Sequence, residues 1–111
     1  SWRKKSMADN QHRMIKGYRD LSIEEIHLMN QIKEEGVVLA QLLVAIQHHL
    51  KGQATSARHW AGPEGDENPE GVAELQRIMD AEPQRWLAIA RTHFQEGLMA
   101  LTRSVAQPGF F

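Results

Sequence analysis

The tetrapeptide Ser22-Ile23-Glu24-Glu25 constrains this chain more than any other stretch. A serine at that place accepts a hydrogen bond from an orphan amide of the first helical turn. A glutamate three residues later reaches back to the serine's own N–H, completing a capping box. Leu21 before the cap and Ile26 four residues after it form the pair that staples the arriving chain. A helix is therefore predicted from residue 23. Its apolar positions Leu28, Ile32, Leu39, Leu42, Leu43, Ile46 and Leu50 recur mostly at spacings of three, four and seven, which carries it to about His49. Gly36 lies inside this run, where glycine costs about 1 kcal/mol relative to alanine. Such a glycine marks a kink or the close approach of another backbone or a ligand. The expectation is a long helix bent near Gly36.

Residues 51–67 are rich in small and turn-forming types and are read as a loop. Asn68-Pro69 then starts a second helix, with asparagine as cap and proline in the first turn. Val72, Leu75, Ile78 and Met79 carry it to about Asp80. Pro83 opens a third helix, whose stripe of Leu87, Ala90, Phe94, Leu98, Leu101 and Val105 is close to a coiled-coil seam. Pro108 and Gly109 end it. Trp86, Ala90, His93, Gly97, Ala100 and Ser104 line a neighbouring face, mostly with small residues that let another helix come close. No strand pattern is present. The predicted fold is all-α: a long kinked helix packed antiparallel against a C-terminal helix, with short N-terminal and connecting helices, in an oligomer.

A chain of 111 residues supports one helical domain over 1–111 with one modest core, and gains from self-association. Cysteine is absent, which removes thiolate chemistry and fits a reducing cytoplasm. No apolar run approaches the roughly 20 residues that cross a bilayer, so no membrane partner is expected. "SWRKKS", residues 1–6, reads as an upstream extension or an expression remnant before a natural start at Met7. Charge is uneven. Arg3, Lys4, Lys5, Arg13, Lys16 and Arg19 face only Asp9 and Asp20 in residues 1–20, whereas residues 61–82 carry seven acids against Arg77. That balance excludes bulk binding of duplex nucleic acid, which needs many phosphate contacts on one face. It leaves room for a small anion in a local basic pocket.

Enzymatic machinery is hard to assemble from these residues. His48 and His49 point about 100° apart on a helix, and no two histidines fall at the spacing that converges on a metal. Glu24-Glu25 and Glu34-Glu35 are about 15 Å apart along a helix. Glu67 and Glu70 share the three-residue spacing of helical nucleotide pyrophosphatases but find no partner set. No phosphate loop, nucleophile elbow or catalytic triad can be built. No enzyme, cofactor or metal site is expected.

Three polar positions remain. Tyr18, between Lys16 and Arg19, is either a ring for stacking on a nucleobase or an ordinary plug over a helix end. Lys33 is either a point charge for a phosphate or a surface ion-pair partner. The positions three and four residues away hold Met29, Asn30, Gly36 and Val37, none of them acidic. Arg91-Thr92 combines a guanidinium and a hydroxyl, a good phosphate grip, and is equally at home on a solvated helix face.

Taken together, "GYRDLSIEEIHLMNQIKEEG" (17–36), "RWLAIARTHFQEGLMALTRSVAQP" (85–108) and the start "MADNQHR" resemble the helical, hexameric anti-CBASS sponge family of phages. The two blocks cover roughly half the chain. The resemblance implies a homohexamer that holds cyclic dinucleotides such as cyclic GMP-AMP and, at separate sites, cyclic trinucleotides such as cyclic tri-AMP. It holds them without cleavage, in the cytoplasm of the infected host. It assigns Tyr18 to base stacking and Lys33 to the dinucleotide, and Arg91 and Thr92 to the trinucleotide phosphates. Residues 50–70 depart from the family pattern. The competing expectation is a helical protein-interaction adaptor with no nucleotide ligand.

Overall fold

The computed structural model describes residues 19–110. Tyr18 and the expected short N-terminal helix lie outside the described residues. Three helices follow in order: α1 (Ile23–Ala61), α2 (Pro69–Ala81) and α3 (Pro83–Ala106). The fold is all-α, a long kinked helix packed against a C-terminal helix with a short connecting helix. None of the described helices is long and apolar enough to cross a membrane.

The start of α1 is built as the capping box requires. The Ser22 N–H donates to Glu25 Oε1 at 2.7 Å, and the Glu25 N–H donates to Ser22 Oγ at 3.1 Å. Its end lies well beyond His49: residues 51–61 are helical, which corrects the loop expected over 51–67. The physical reason is a stripe of small residues. Ala57 and Ala61 are 3% and 6% exposed, so they bury a helix face that large apolar side chains would ordinarily announce. The stop signal is Gly62-Pro63. Gly62 has φ +80° and donates its N–H to Arg58 O, so it takes the left-handed conformation that ends helices at little steric cost.

The described residues divide into two compact units, 19–37 with 95–110, and 38–94. In the second, Asn68 caps α2 by accepting the Glu70 N–H at 3.0 Å, as expected. A β-carbon on Gly71 would stand 2.4 Å from the Trp60 carbonyl carbon and 2.5 Å from the Ala61 nitrogen. Glycine is therefore what lets α2 lie directly on the backbone of α1. Leu43, Ile78 and Leu87 are buried with the two alanines and form the core. Glu82 joins α2 to α3. With φ 50° and ψ 52° it donates its N–H to Ile78 O and Met79 O, and its carbonyl accepts the N–H groups of Arg85 and Trp86.

In the first unit the start of α1 and the end of α3 run antiparallel. Arg19 meets the carbonyls of Val105 and Ala106, while Gly36 lies against Leu98, whose Cδ1 would be 3.3 Å from an added β-carbon. The close approach signalled by Gly36 is thus made by a leucine side chain.

Candidate functional site

The groove of the first unit is shaped by α1, by the last turns of α3 and by the tail behind them. It has a volume of about 530 Å³. Ile32, Leu98, Met99, Ala106 and Pro108 give it an apolar surface. Lys33, Thr102 and Arg103 are its polar side chains, and Phe110 completes the lining. Among the described residues, no acidic side chain lines it. A second hollow in the same unit, about 370 Å³, has Leu28, Leu101 and Val105 among its apolar walls but also carries Glu35, so its charge is wrong for a phosphate.

Local structure explains how these side chains come together. Ile32 and Lys33 of α1 both line the groove, which puts the ammonium beside an apolar patch. Thr102 and Arg103 sit in the last turns of α3. The Thr102 hydroxyl donates to Leu98 O at 2.9 Å, which leaves its lone pairs as acceptors. Gln107 ends α3 with φ 48° and donates its N–H to Arg103 O at 2.8 Å. That left-handed residue turns the tail, and the Arg103 guanidinium donates to the Phe110 carbonyl.

Arg19 braces this unit. Its guanidinium forks onto Glu25, with contacts of 2.7 and 3.2 Å, and also donates to Val105 O at 2.7 Å and Ala106 O at 3.0 Å. One side chain therefore satisfies terminal carbonyls of α3 and holds the capping glutamate of α1. A cation at a helix C-terminus also complements the helix dipole. The Arg19 bond, and after it the Ser22 amide, hold the Glu25 carboxyl down at about 2.

Of the residues singled out from sequence, Lys33 is in the groove and Tyr18 lies outside the described residues. Arg91 and Thr92 belong to the other unit, on the exposed surface of α3. Arg91 has no ion-pair partner among the described residues, and the Thr92 hydroxyl donates to Ala88 O at 3.2 Å. Sequence reasoning missed Thr102, Arg103 and Arg19. Arg103 carries no local signal, because it meets Lys33 only through folding. Arg19 had one: a basic residue beside a capping box whose acid can pair with it.

Among the described residues no group of three or more histidine or acidic side chains converges to hold a metal ion. The arrangement is suited to holding an anion with an apolar body.

Comparison with known proteins identifies the family. The family model described as Acb2/Tad1, hairpin domain, matches residues 10–106. Anti-CBASS protein 2 of Pseudomonas phage JBD67 is 46% identical over 105 residues, covering 90% of this chain and 96% of that protein. With residues 10–106 matched by the family model and nearly the whole length of the phage relative covered, the protein belongs to the Acb2/Tad1 hairpin-domain family.

Proposed function

We propose that this protein sequesters cyclic oligonucleotide messengers without cleaving them, and so blocks CBASS anti-phage signalling in the cytoplasm of the infected host. The observation that carries the reading is the groove beside Lys33, where the described residues supply an apolar surface, two cations, a hydroxyl and no acid. An apolar surface takes a base, and ammonium and guanidinium groups take phosphate. Family membership and the likeness to an anti-CBASS protein of a phage support the same reading.

Two ligand classes are proposed, cyclic dinucleotides such as cyclic GMP-AMP at Lys33 and Tyr18, and cyclic trinucleotides such as cyclic tri-AMP at Arg91 and Thr92. A two-fold symmetric dinucleotide suits an isologous contact between protomers, and a three-fold ligand suits a three-fold axis. A homohexamer supplies both kinds of axis. Self-association is supported by the apolar side chains left open on the single chain, among them Val37, Val38, Val44, Met99 and Leu101. Affinity then comes from burying a small ligand in a preorganised assembly.

The test mixes purified protein with a panel of cyclic di- and trinucleotides, removes free ligand, heats the protein and identifies what is released. Intact nucleotide recovered only after denaturation supports sequestration. Cleaved product makes the protein an enzyme, and retention of nothing leaves the helical adaptor. Arg91→Ala is expected to weaken trinucleotide retention while dinucleotide retention persists.

A further inference from the structure

We infer that Arg103 is a second phosphate-gripping residue of the Lys33 groove, held by the carbonyl of Phe110 until a ligand takes its place. The inference rests on the proposed function and adds to it a residue and an exchange of partners.

Three observations lead there. First, Arg103 lines the same groove as Lys33, and among the described residues no carboxylate lines that groove to neutralise either cation. Ammonium and guanidinium side by side both attract a phosphodiester charge. Second, the contact seen for Arg103 in this groove is with a neutral acceptor, the Phe110 carbonyl. A phosphate offers the guanidinium a full negative charge and two oxygens for its fork, where the carbonyl offers one neutral oxygen, so a phosphate outcompetes that carbonyl. Third, Thr102 lies beside it with its proton committed to Leu98 O. Its oxygen therefore offers no competing donor to the phosphate, but accepts from a ribose hydroxyl or a base amine.

Arg19 provides the contrast that makes the assignment specific. Its fork is taken by a carboxylate and two helix-terminal carbonyls, which fixes it as a brace. Among the described residues no such carboxylate lines the groove of Arg103, and its acceptor lies on the short tail after Gln107. Exchange of partner at Arg103 requires only that this tail lift, with no helix moving.

The test measures cyclic dinucleotide affinity at several salt concentrations for the unmodified protein, Arg103→Ala, Arg103→Lys and a chain ended after Gln107. The oligomeric state of each is followed by light scattering. Arg103→Ala is expected to bind about 10- to 100-fold more weakly, the size of one lost charge-assisted hydrogen bond. Its affinity should also fall less steeply with salt, because one fewer cation meets phosphate. Arg103→Lys should lie between, keeping charge and losing the fork. The shortened chain should bind at least as tightly as the full one, since the competing carbonyl is gone. Unchanged affinity or salt dependence in Arg103→Ala overturns the inference, as does a weakening accompanied by loss of assembly. Weaker binding by the shortened chain shows that the tail supports the ligand instead of competing with it, and overturns the exchange. If the unmodified protein binds no cyclic dinucleotide, the proposed function fails first.

Discussion

Residues 38–94 contain every buried side chain among the described residues, whereas the unit made of 19–37 and 95–110 contains none. The first is held by close packing: Leu43, Ile78 and Leu87 are buried, and Gly71 lies on the Trp60–Ala61 backbone. The second is held by polar bonds at a helix end, through Arg19, and by the capping box. This difference teaches where stability and binding are separated. A packed unit resists change, and an open one braced at its end leaves apolar surface and cations available to something else. Whatever covers that surface, ligand or second protomer, adds stability by mass action.

Substitutions in the packed unit should have the largest effects. Gly71→Ala puts a β-carbon inside the van der Waals shell of fixed backbone atoms. It is expected to cost about 3 kcal/mol or more, at the upper end for overpacking. Ile78→Ala should cost about 2–4 kcal/mol by leaving a cavity. Denaturant titration measures both, and a loss below about 1 kcal/mol at both positions would erase the distinction between the units.

Lys33→Ala comes next and should change binding but not folding. Dinucleotide affinity is expected to fall about 10-fold or more, with thermal unfolding of the unliganded protein unchanged. Tyr18→Ala should act in the same direction. Normal binding by both variants places the dinucleotide elsewhere.

Arg19→Ala should act locally. The Glu25 carboxyl, held at about 2 in the folded protein, should return toward its ordinary 4.5. Because folding lowers this pKa, the pair stabilises the folded state fully above about 4.5, and that contribution fades as pH falls toward 2. A carboxyl titration followed by NMR should show the shift, together with faster amide exchange near the end of α3. A Glu25 titration identical in the variant would remove Arg19 as the brace.

The smallest effect is expected at Gly36. Its added β-carbon meets only the flexible end of Leu98, and the gain in helix propensity of about 1 kcal/mol offsets the squeeze. Gly36→Ala should therefore move stability by less than about 1 kcal/mol. A loss as large as that of Gly71→Ala would mean that the open unit is packed as tightly as the other.

How much of this was legible in the sequence depends on the range of the interaction. The Ser22–Glu25 box, the Asn68 cap and the restart at Pro83 are written within four residues, and all three are built as read. The helical stretch 51–61 escaped because its buried face is alanine, which carries little hydrophobic signal. Gly62-Pro63 marked its true end, and a reading weighted toward stop signals would have used it. Lys33 could be singled out because the positions three and four residues away hold no acid. Arg103 could not, because nothing near it in sequence distinguishes it from any cation on the surface of a helix. Residues far apart in the chain meet by folding, and a periodic pattern shows which face they share without showing what they touch.

Glu82 has a mechanical consequence. A single residue joins α2 to α3, and both its N–H and its carbonyl are committed, one to each helix. Such a joint has no slack, so it acts as a phase lock. The compass bearing of α3 about its own axis is set by one pair of torsions, and the bearing of Arg91 and Thr92 within their unit is set with it. Inserting one residue there would advance the helix by about 1.5 Å and turn everything after it by about 100°. Chain length at this corner is therefore as much a determinant of where those side chains aim as their own identity.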